Sequence, residues 1–344
     1  MRENEKNELR ARIIASAYSH KNRRKRLFYA LSAAASVVVI LAIGLYKYDS
    51  SSSPLMEYAR SSENLKLENM NDVQLFLNRN KRLAIEKENS SLAYQSNGNE
   101  LNIIDSVGRG QKVLLKDSNT FNTLMVPYGK RSKIVLSDGT IVWLNSGSKL
   151  IYPVTFRGKT REVVLEGEAI FDVSHDINHP FRVRSKGQVI EVLGTVFNVS
   201  NYPDEDNIKT VLKSGSVEIS YQSDSFFKSR ERKKITPGTM AVYSKNSPNV
   251  KTKSVDVEQY FSWRNGVLIF KNNNLEYIMK KLGRYYNVDI KLHEVATKNE
   301  TYSGYLDLKD SIDHVLKTLQ EAANFQYKRN QNGSILINKT KNME

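Results

Sequence analysis

Residues 27–46 form a run of twenty residues without a charge, directly behind a cluster of basic residues near the start of the chain. A helix rises about 1.5 Å per residue, so this run matches the roughly 30 Å hydrocarbon core of a bilayer. Its flanks are asymmetric. Lys21 and Arg23 to Arg26 precede it, whereas Lys47 and Asp49 follow. The positive-inside rule therefore keeps the N-terminus in the cytoplasm, with Arg23, Arg24, Lys25 and Arg26 as the topology signal, and sends everything after Tyr46 outward. Tyr29, Tyr46 and Tyr48 stand near the ends, where aromatic rings sit at the interface. A cleaved signal peptide would carry an apolar region of about 7 to 15 residues and a small-residue cleavage site. Here Tyr46-Lys47-Tyr48-Asp49 follows, and the reading favours an uncleaved single-pass anchor over a cleaved signal or a buried soluble helix.

The same segment changes the meaning of the net charge. Lys plus Arg number 52 against 37 Asp plus Glu, a formal +15 that first suggests a polyanionic partner. Residues 1–26 hold nine basic and three acidic residues, so +6 of that total lies in a head that the topology requires to be positive. The remaining +9 is spread along the rest of the chain without a helix-turn-helix pattern, which argues against nucleic acid. The chain has no Cys, which excludes a disulfide framework, a zinc-thiolate site and a thiol nucleophile.

Beyond the span, residues 47–72 read as a linker, with Ser50 to Ser53 and Pro54 as a flexible exit. From Val73 onward, short apolar runs separated by Asn, Ser and Gly predict a β-rich lead-in over 73–123 and a dense β domain over 124–245. Ser137-Asp138-Gly139-Thr140 between two apolar runs predicts a tight hairpin whose central residues take positive φ. Glu166-Gly167-Glu168 reads as a further turn, and residues 221–234 as an exposed polar hairpin loop. Turns at about 8- to 12-residue spacing without a helical period predict an all-β sandwich or a solenoid-like stack.

After a linker over 246–262 the period switches. Leu275, Ile278, Met279, Leu282 and Tyr286 share one helical face, and Ile312, Val315, Leu316, Leu319 and Ala323 repeat that spacing. Asn274 and Ser311 stand where N-caps belong. Strands are expected before the helices, at 267–270 and 302–306, and after them, at 288–292 and 325–329. A last strand at 334–337 completes a small α+β domain over 263–338, a doubled β-α-β unit, with a tail at 339–344.

Chemistry is sparse. His175 and His179 have the spacing of a metal pair, but that geometry needs a helix, and here a turn and Pro180 intervene. Glu166 and Glu168 could pair as carboxylates, but no companion acid or base accompanies them, so a structural turn is the better reading. Trp143 and Trp263 could be sugar platforms, although a single Trp in a strand is more often core. No phosphate-binding loop, nucleophile elbow or metalloprotease motif occurs. The residues therefore predict no enzyme, no metal and no cofactor, and an architecture suited to a connector between compartments.

A series of motifs, in order, closely resembles the FecR family of anti-sigma factors in the form typical of Bacteroidota. They are Val126-Pro127-Tyr128-Gly129, the run from Leu136 through Asn145-Ser146-Gly147-Ser148, Tyr152-Pro153, Arg161-Glu162-Val163, Leu165 through Val173, His179-Pro180-Phe181, and Val192 through Val199. The stretch from Trp263-Arg264-Asn265-Gly266 through Tyr305 looks like the domain appended to such proteins, similar to the small N-terminal fold of secretins and TonB-dependent receptors. The resemblance implies a regulator that binds an extracytoplasmic-function sigma factor inside. In the periplasm it would meet the signalling domain of a TonB-dependent outer-membrane transporter, and ligand arrival would release sigma, commonly through proteolysis in or beside the membrane.

The head is shorter than is usual in that family. Leu9, Ile13 and Ala17, with Ile14 and Tyr18 one position over, form an apolar stripe that could dock on the sigma factor or lie on anionic lipid of the inner membrane. For the receptor, strand pairing at Val267, Leu268, Ile269 and Phe270 or at Ser334, Ile335, Leu336 and Ile337 is the expected contact. A reading from another class is a membrane-tethered periplasmic carbohydrate-binding or scaffold protein without sigma binding.

Overall fold

The structure, a computed structural model, describes residues 7, 10–12, 34–40, 53–67, 70–78, 81–85, 90–105, 108–115, 117, 120–185, 187–222, 230–246, 249–292, 300–323 and 325–339. The chain divides into two compact units, Met1–Pro54 and Leu55–Glu344. In the first, residues 34–40 are helical and exposed. Among the described residues no helix is long and apolar enough to cross a membrane. Most of the expected anchor, and all of Leu9, Ile13, Ile14, Ala17, Arg23, Arg24, Lys25 and Arg26, lie outside the described residues.

The second unit opens at Leu55 within helix α1 (Pro54–Ser61), whose buried Leu55 and Tyr58 pack on Ile151. Strands follow in close succession: β1 (Val73–Leu77), β2 (Lys81–Ile85), β3 (Ser91–Tyr94), β4 (Glu100–Ile104), β5 (Gly110–Leu114) and β6 (Phe121–Val126). Next come β7 (Ser132–Val135), β8 (Ile141–Leu144), β9 (Ser148–Pro153), β10 (Arg161–Asp172), β11 (Phe181–Ser185) and β12 (Gln188–Val192). The series ends with β13 (Val196–Asn201), β14 (Asn207–Ser214), β15 (Val217–Gln222), β16 (Arg230–Ile235), β17 (Thr239–Ser244) and β18 (Val250–Ser254).

They form two layers. One runs β2-β1-β6-β9-β10-β11-β12-β15-β16, and the other β5-β4-β3-β7-β8-β10-β13-β14-β17-β18. Alternation supplies the core between them. In β11, Phe181 and Val183 are fully buried, while Arg182 and Arg184 on the opposite face pair with Glu191 and Glu162 at 2.6 and 2.9 Å. Phe171 stacks on Phe197 and lies 6.1 Å from Phe181 of the other layer.

Five local expectations need correction. Residues 221–234 are not all exposed loop: Tyr221, which is buried, and Gln222 end β15, and Arg230 to Lys234 pair with that strand as β16. The lead-in is not a separate element: β1 pairs with β6 and β3 with β7, so strands from 73–123 complete both layers. The segment 246–262 is not an open linker either, since it holds β18 and a short helix α2 (Glu258–Phe261). At the Asp-Gly hairpin only Gly139 has positive φ (84°). Its N–H bonds to the Leu136 carbonyl and the Leu136 N–H to Thr140, a three-residue connection in which the glycine closes a bulge. Glu166-Gly167-Glu168 is not a turn: it lies inside the twelve-residue β10. Gly167, at φ 95°, bends that strand so that its first half pairs in one layer and its second half in the other.

A 3-10 turn, Ser262–Asn265, leads into the C-terminal domain: β19 (Val267–Asn274), α3 (Leu275–Tyr286), β20 (Ile290–Leu292), β21 (Thr301–Asp307), α4 (Ile312–Ala322), β22 (Phe325–Arg329) and β23 (Ile335–Lys339). The expected caps are present, with Asn274 accepting from the Tyr277 N–H and Ser311 from the His314 N–H. Each β-α-β unit splits its strands between two small sheets. β19 pairs with β21, while β23 lies between β20 and β22. The apolar faces of both helices, with Leu268, Phe270, Ile335 and Ile337, close one core.

Candidate functional site at the domain junction

Helix α3 has a second face that the apolar stripe does not account for, at Tyr277, Lys281 and Arg284, spaced i, i+4, i+7. This face lies against the bend in β10. Lys281 Nζ is 2.7 Å from Glu168 Oε2, and the Glu168 side chain is 1% exposed. Asn145 donates to the same oxygen at 3.0 Å, and Asn198 to the other at 3.2 Å. Burial alone would lower the Lys281 pKa, but the charge and hydrogen bond of Glu168 outweigh it and hold the ammonium protonated well above its ordinary range.

One turn further along, Arg284 reaches Glu205 at 2.7 Å and both oxygens of Asp204 at 2.8 and 2.9 Å, with its guanidinium 3.6 Å from the centroid of the Tyr202 ring. Burial raises Glu205, yet the Lys209 charge, the Arg284 hydrogen bond and the Lys281 charge bring it down to about 2. Asp204 is lowered as well, through Lys280 and Arg284. The Tyr202 hydroxyl donates to the Ser146 carbonyl at 2.8 Å.

Glycines permit the approach. Gly129, at φ 79°, donates its N–H to the Arg284 carbonyl, and a Cβ there would stand 3.1 Å from the Asn287 Cβ. A side chain at Gly147 would run into the Tyr128 ring. At Gly167 a Cβ would meet Ser148 Oγ at 2.5 Å and Ser148 Cα at 2.6 Å. Gly129, Asn145, Glu168 and Asn198 are far apart in the chain; Gly129 and Glu168 contact α3 directly, and Asn145 and Asn198 hold the Glu168 carboxylate that Lys281 meets.

Both domains match known proteins. A FecR protein family model matches residues 122–218, and a FecR C-terminal model matches residues 267–337. The chain carries a FecR domain followed by a FecR C-terminal domain. Two crystal structures of a candidate anti-sigma factor from Parabacteroides distasonis, at 2.50 and 1.65 Å resolution, are similar to it. Each has a TM-score of 0.57, with 27% and 28% identity over 64% and 63% of this chain and 99% of the other. No curated protein matches the chain.

The expected receptor-contact residues are divided by the fold. Val267, Leu268, Ile269 and Phe270 lie in β19 of the two-stranded sheet, with Leu268 and Phe270 buried. Ser334 to Ile337 do not form an edge. Ile335, Leu336 and Ile337 sit in β23, which is paired on both sides, because the strand that closes the chain inserts between β20 and β22. Among the described residues β21 pairs on one side alone; most of its residues are exposed, and Tyr305 is 78% accessible.

His175 and His179 of the FecR domain lie in a bend, where His179 Nδ1 is 2.8 Å from Asp176. Trp263 is 5% exposed and packs in a cluster with Phe261, Ile170, Val211 and Met240, so it offers no platform. Trp143 is half-buried between Lys133 and Arg264.

Proposed function

We propose that the protein is an anti-sigma regulator held in the bacterial inner membrane. Residues 1–26 engage an extracytoplasmic-function sigma factor in the cytoplasm and residues 27–46 cross the bilayer. The FecR domain and its C-terminal domain meet the signalling domain of a TonB-dependent outer-membrane transporter in the periplasm. The observation that carries this reading is the succession of a FecR domain and a FecR C-terminal domain behind a charge-flanked apolar segment. Solved relatives described as candidate anti-sigma factors support it. The junction supports it mechanically. The two domains are joined through a buried ion pair and a bidentate arginine, contacts that give a load on the C-terminal domain a path to the FecR domain. Receptor contact by strand addition falls on the unpaired side of β21.

The test is co-expression of the full chain with the sigma factor encoded beside it, reading both capture of sigma and transcription from a sigma-dependent promoter. The full chain captures sigma and lowers transcription, and Ile13→Asp loses both. Capture by neither protein overturns the sigma-binding reading. Topology reporters fused after residues 20 and 344 check the orientation, and a cytoplasmic C-terminus contradicts it.

A further inference from the structure

A cleft of about 180 Å³ opens where β7 and β8 of the FecR domain meet the 3-10 turn that leads into the C-terminal domain. Its wall includes Arg131, Ser132, Lys133, Trp143, Trp263 and Arg264. Lys133 Nζ lies 5.6 Å and Arg264 Cζ 5.4 Å from the centroid of the Trp143 ring, and Arg131 is stacked over Tyr285 at 4.2 Å. Among the described residues, none of these three cations has a carboxylate within ion-pair distance. Most other cations around the junction do, including Lys280, Lys281, Arg284, Lys209 and Lys213.

Two further wall residues carry buried polar atoms without a hydrogen-bond partner: the Ser132 hydroxyl, on a residue 6% exposed, and the Trp263 indole N–H, on one 5% exposed. Trp263 also borders a cavity of about 20 Å³ behind the cleft, toward Lys281 and Arg284. Among the described residues the cleft therefore gathers three positive charges without an ion-pair partner and two unsatisfied polar groups, and its described wall holds no carboxylate. That is the chemistry of an anion receptor.

Size selects the kind of anion. Sites for small metabolites typically enclose about 300–1,000 Å³ and bury most of the ligand. This cleft is smaller and open on one side, which suits a single side chain entering from a larger partner. We propose that it is the docking site of an acidic segment of a partner protein, which places one Asp or Glu carboxylate between Lys133 and Arg264 beside the Trp143 ring. Because its walls come from the FecR domain and from the base of the C-terminal domain, an occupant bridges the two beside the Glu168–Lys281 contact. The proposal does not depend on whether the head binds a sigma factor.

The test uses the full-length protein in a neutral detergent and a hexaglutamate peptide as probe, read by tryptophan fluorescence and by titration calorimetry. Saturable binding that perturbs the fluorescence is expected, weakened about tenfold by Lys133→Gln and by Arg264→Gln, as for a lost close charge pair. Thermal melts of both variants should match the parent, since both side chains lie at the surface of the cleft. Lys251→Gln/Lys253→Gln, on the exposed strand β18, should bind the peptide as the parent does. Equal weakening by that double variant shows general attraction to a basic protein and overturns the site. Equal affinity for inorganic sulfate shows an unselective anion site and overturns the acidic-segment assignment, as does the absence of saturable binding.

Discussion

Lys281 Nζ and Glu168 Oε2 lie 2.7 Å apart across the junction of two domains, 113 residues distant in the chain, with Glu168 almost fully enclosed. Removing one partner of such a pair leaves an uncompensated buried charge, which costs roughly 3–5 kcal/mol, whereas removing both charges can be close to neutral. Lys281→Met should accordingly lower the thermal midpoint sharply. Glu168→Gln combined with Lys281→Met should recover much of the loss, because the remaining amide oxygen still accepts from Asn145 and the new amide N–H can donate to Asn198 Oδ1, which otherwise has no partner. A double variant no more stable than Lys281→Met would show that the pair does not act as a unit.

Gly167 tests the bend. An alanine there must adopt φ 95° with its Cβ 2.5 Å from Ser148 Oγ and 2.6 Å from Ser148 Cα, so the backbone of β9 or β10 has to move. The expected loss for Gly167→Ala is more than about 3 kcal/mol. Gly238 is the control: its φ is 80°, yet nothing lies within 4 Å of where an alanine methyl would stand, so Gly238→Ala should cost only about 1 kcal/mol of backbone strain. Urea unfolding of the two variants separates the contributions, and similar losses would remove the steric argument at β10.

Much of this fold is readable from local pattern. The period of α3 and α4, their caps at Asn274 and Ser311, and strand β22 at residues 325–329 follow from side chains that are neighbours in sequence. The junction is not readable in that way. Lys281 and Arg284 look like the solvated flank of an amphipathic helix, because Glu168, Asp204 and Glu205 lie more than 75 residues upstream. The bend at Gly167 is hidden for the same reason. A glycine between two glutamates is a turn signal locally, and only the pairing of β10 with both layers shows that it bends a strand. Likewise, nothing in Ile335-Leu336-Ile337 tells a central strand from an edge strand, since both are short apolar runs.

The carboxylates at the junction predict loss of stability in acid. Glu205 ionises at about 2 in the folded protein against an ordinary value of 4.5. Between those values the unfolded chain takes up a proton that the folded one refuses, so stability present above pH 4.5 is lost as the pH falls toward 2. A shift of that size in a side chain 15% exposed corresponds to roughly 3 kcal/mol. Asp204 is lowered in the same sense, but its side chain is 52% exposed and it adds less. Urea midpoints measured from about pH 6 to about pH 2.5 should fall through this window. Glu205→Gln should start lower and vary less, and an identical slope in that variant would assign the acid sensitivity elsewhere.

The sheets of the C-terminal domain give opposite predictions for two of its strands. Ile337 is 1% exposed in β23, which exchanges backbone hydrogen bonds with β20 and β22, so Ile337→Pro removes a ladder donor from a central strand and should unfold the domain. Loss of receptor binding in that variant would therefore say nothing about a contact surface. Tyr305 lies on β21, which among the described residues pairs only with β19, and its side chain is 78% accessible. Tyr305→Lys should leave the melting temperature within about 1 °C of the parent, because surface changes of this kind stay within about 0.5 kcal/mol. If a partner strand adds to this side of β21, the lysine blocks it, as charged residues do on natural sheet edges. The measurement is capture, by the full chain, of the transporter signalling domain proposed as its partner. Tyr305→Lys should reduce it about tenfold, a loss of roughly 1.4 kcal/mol. Undiminished capture would move the receptor contact off β21.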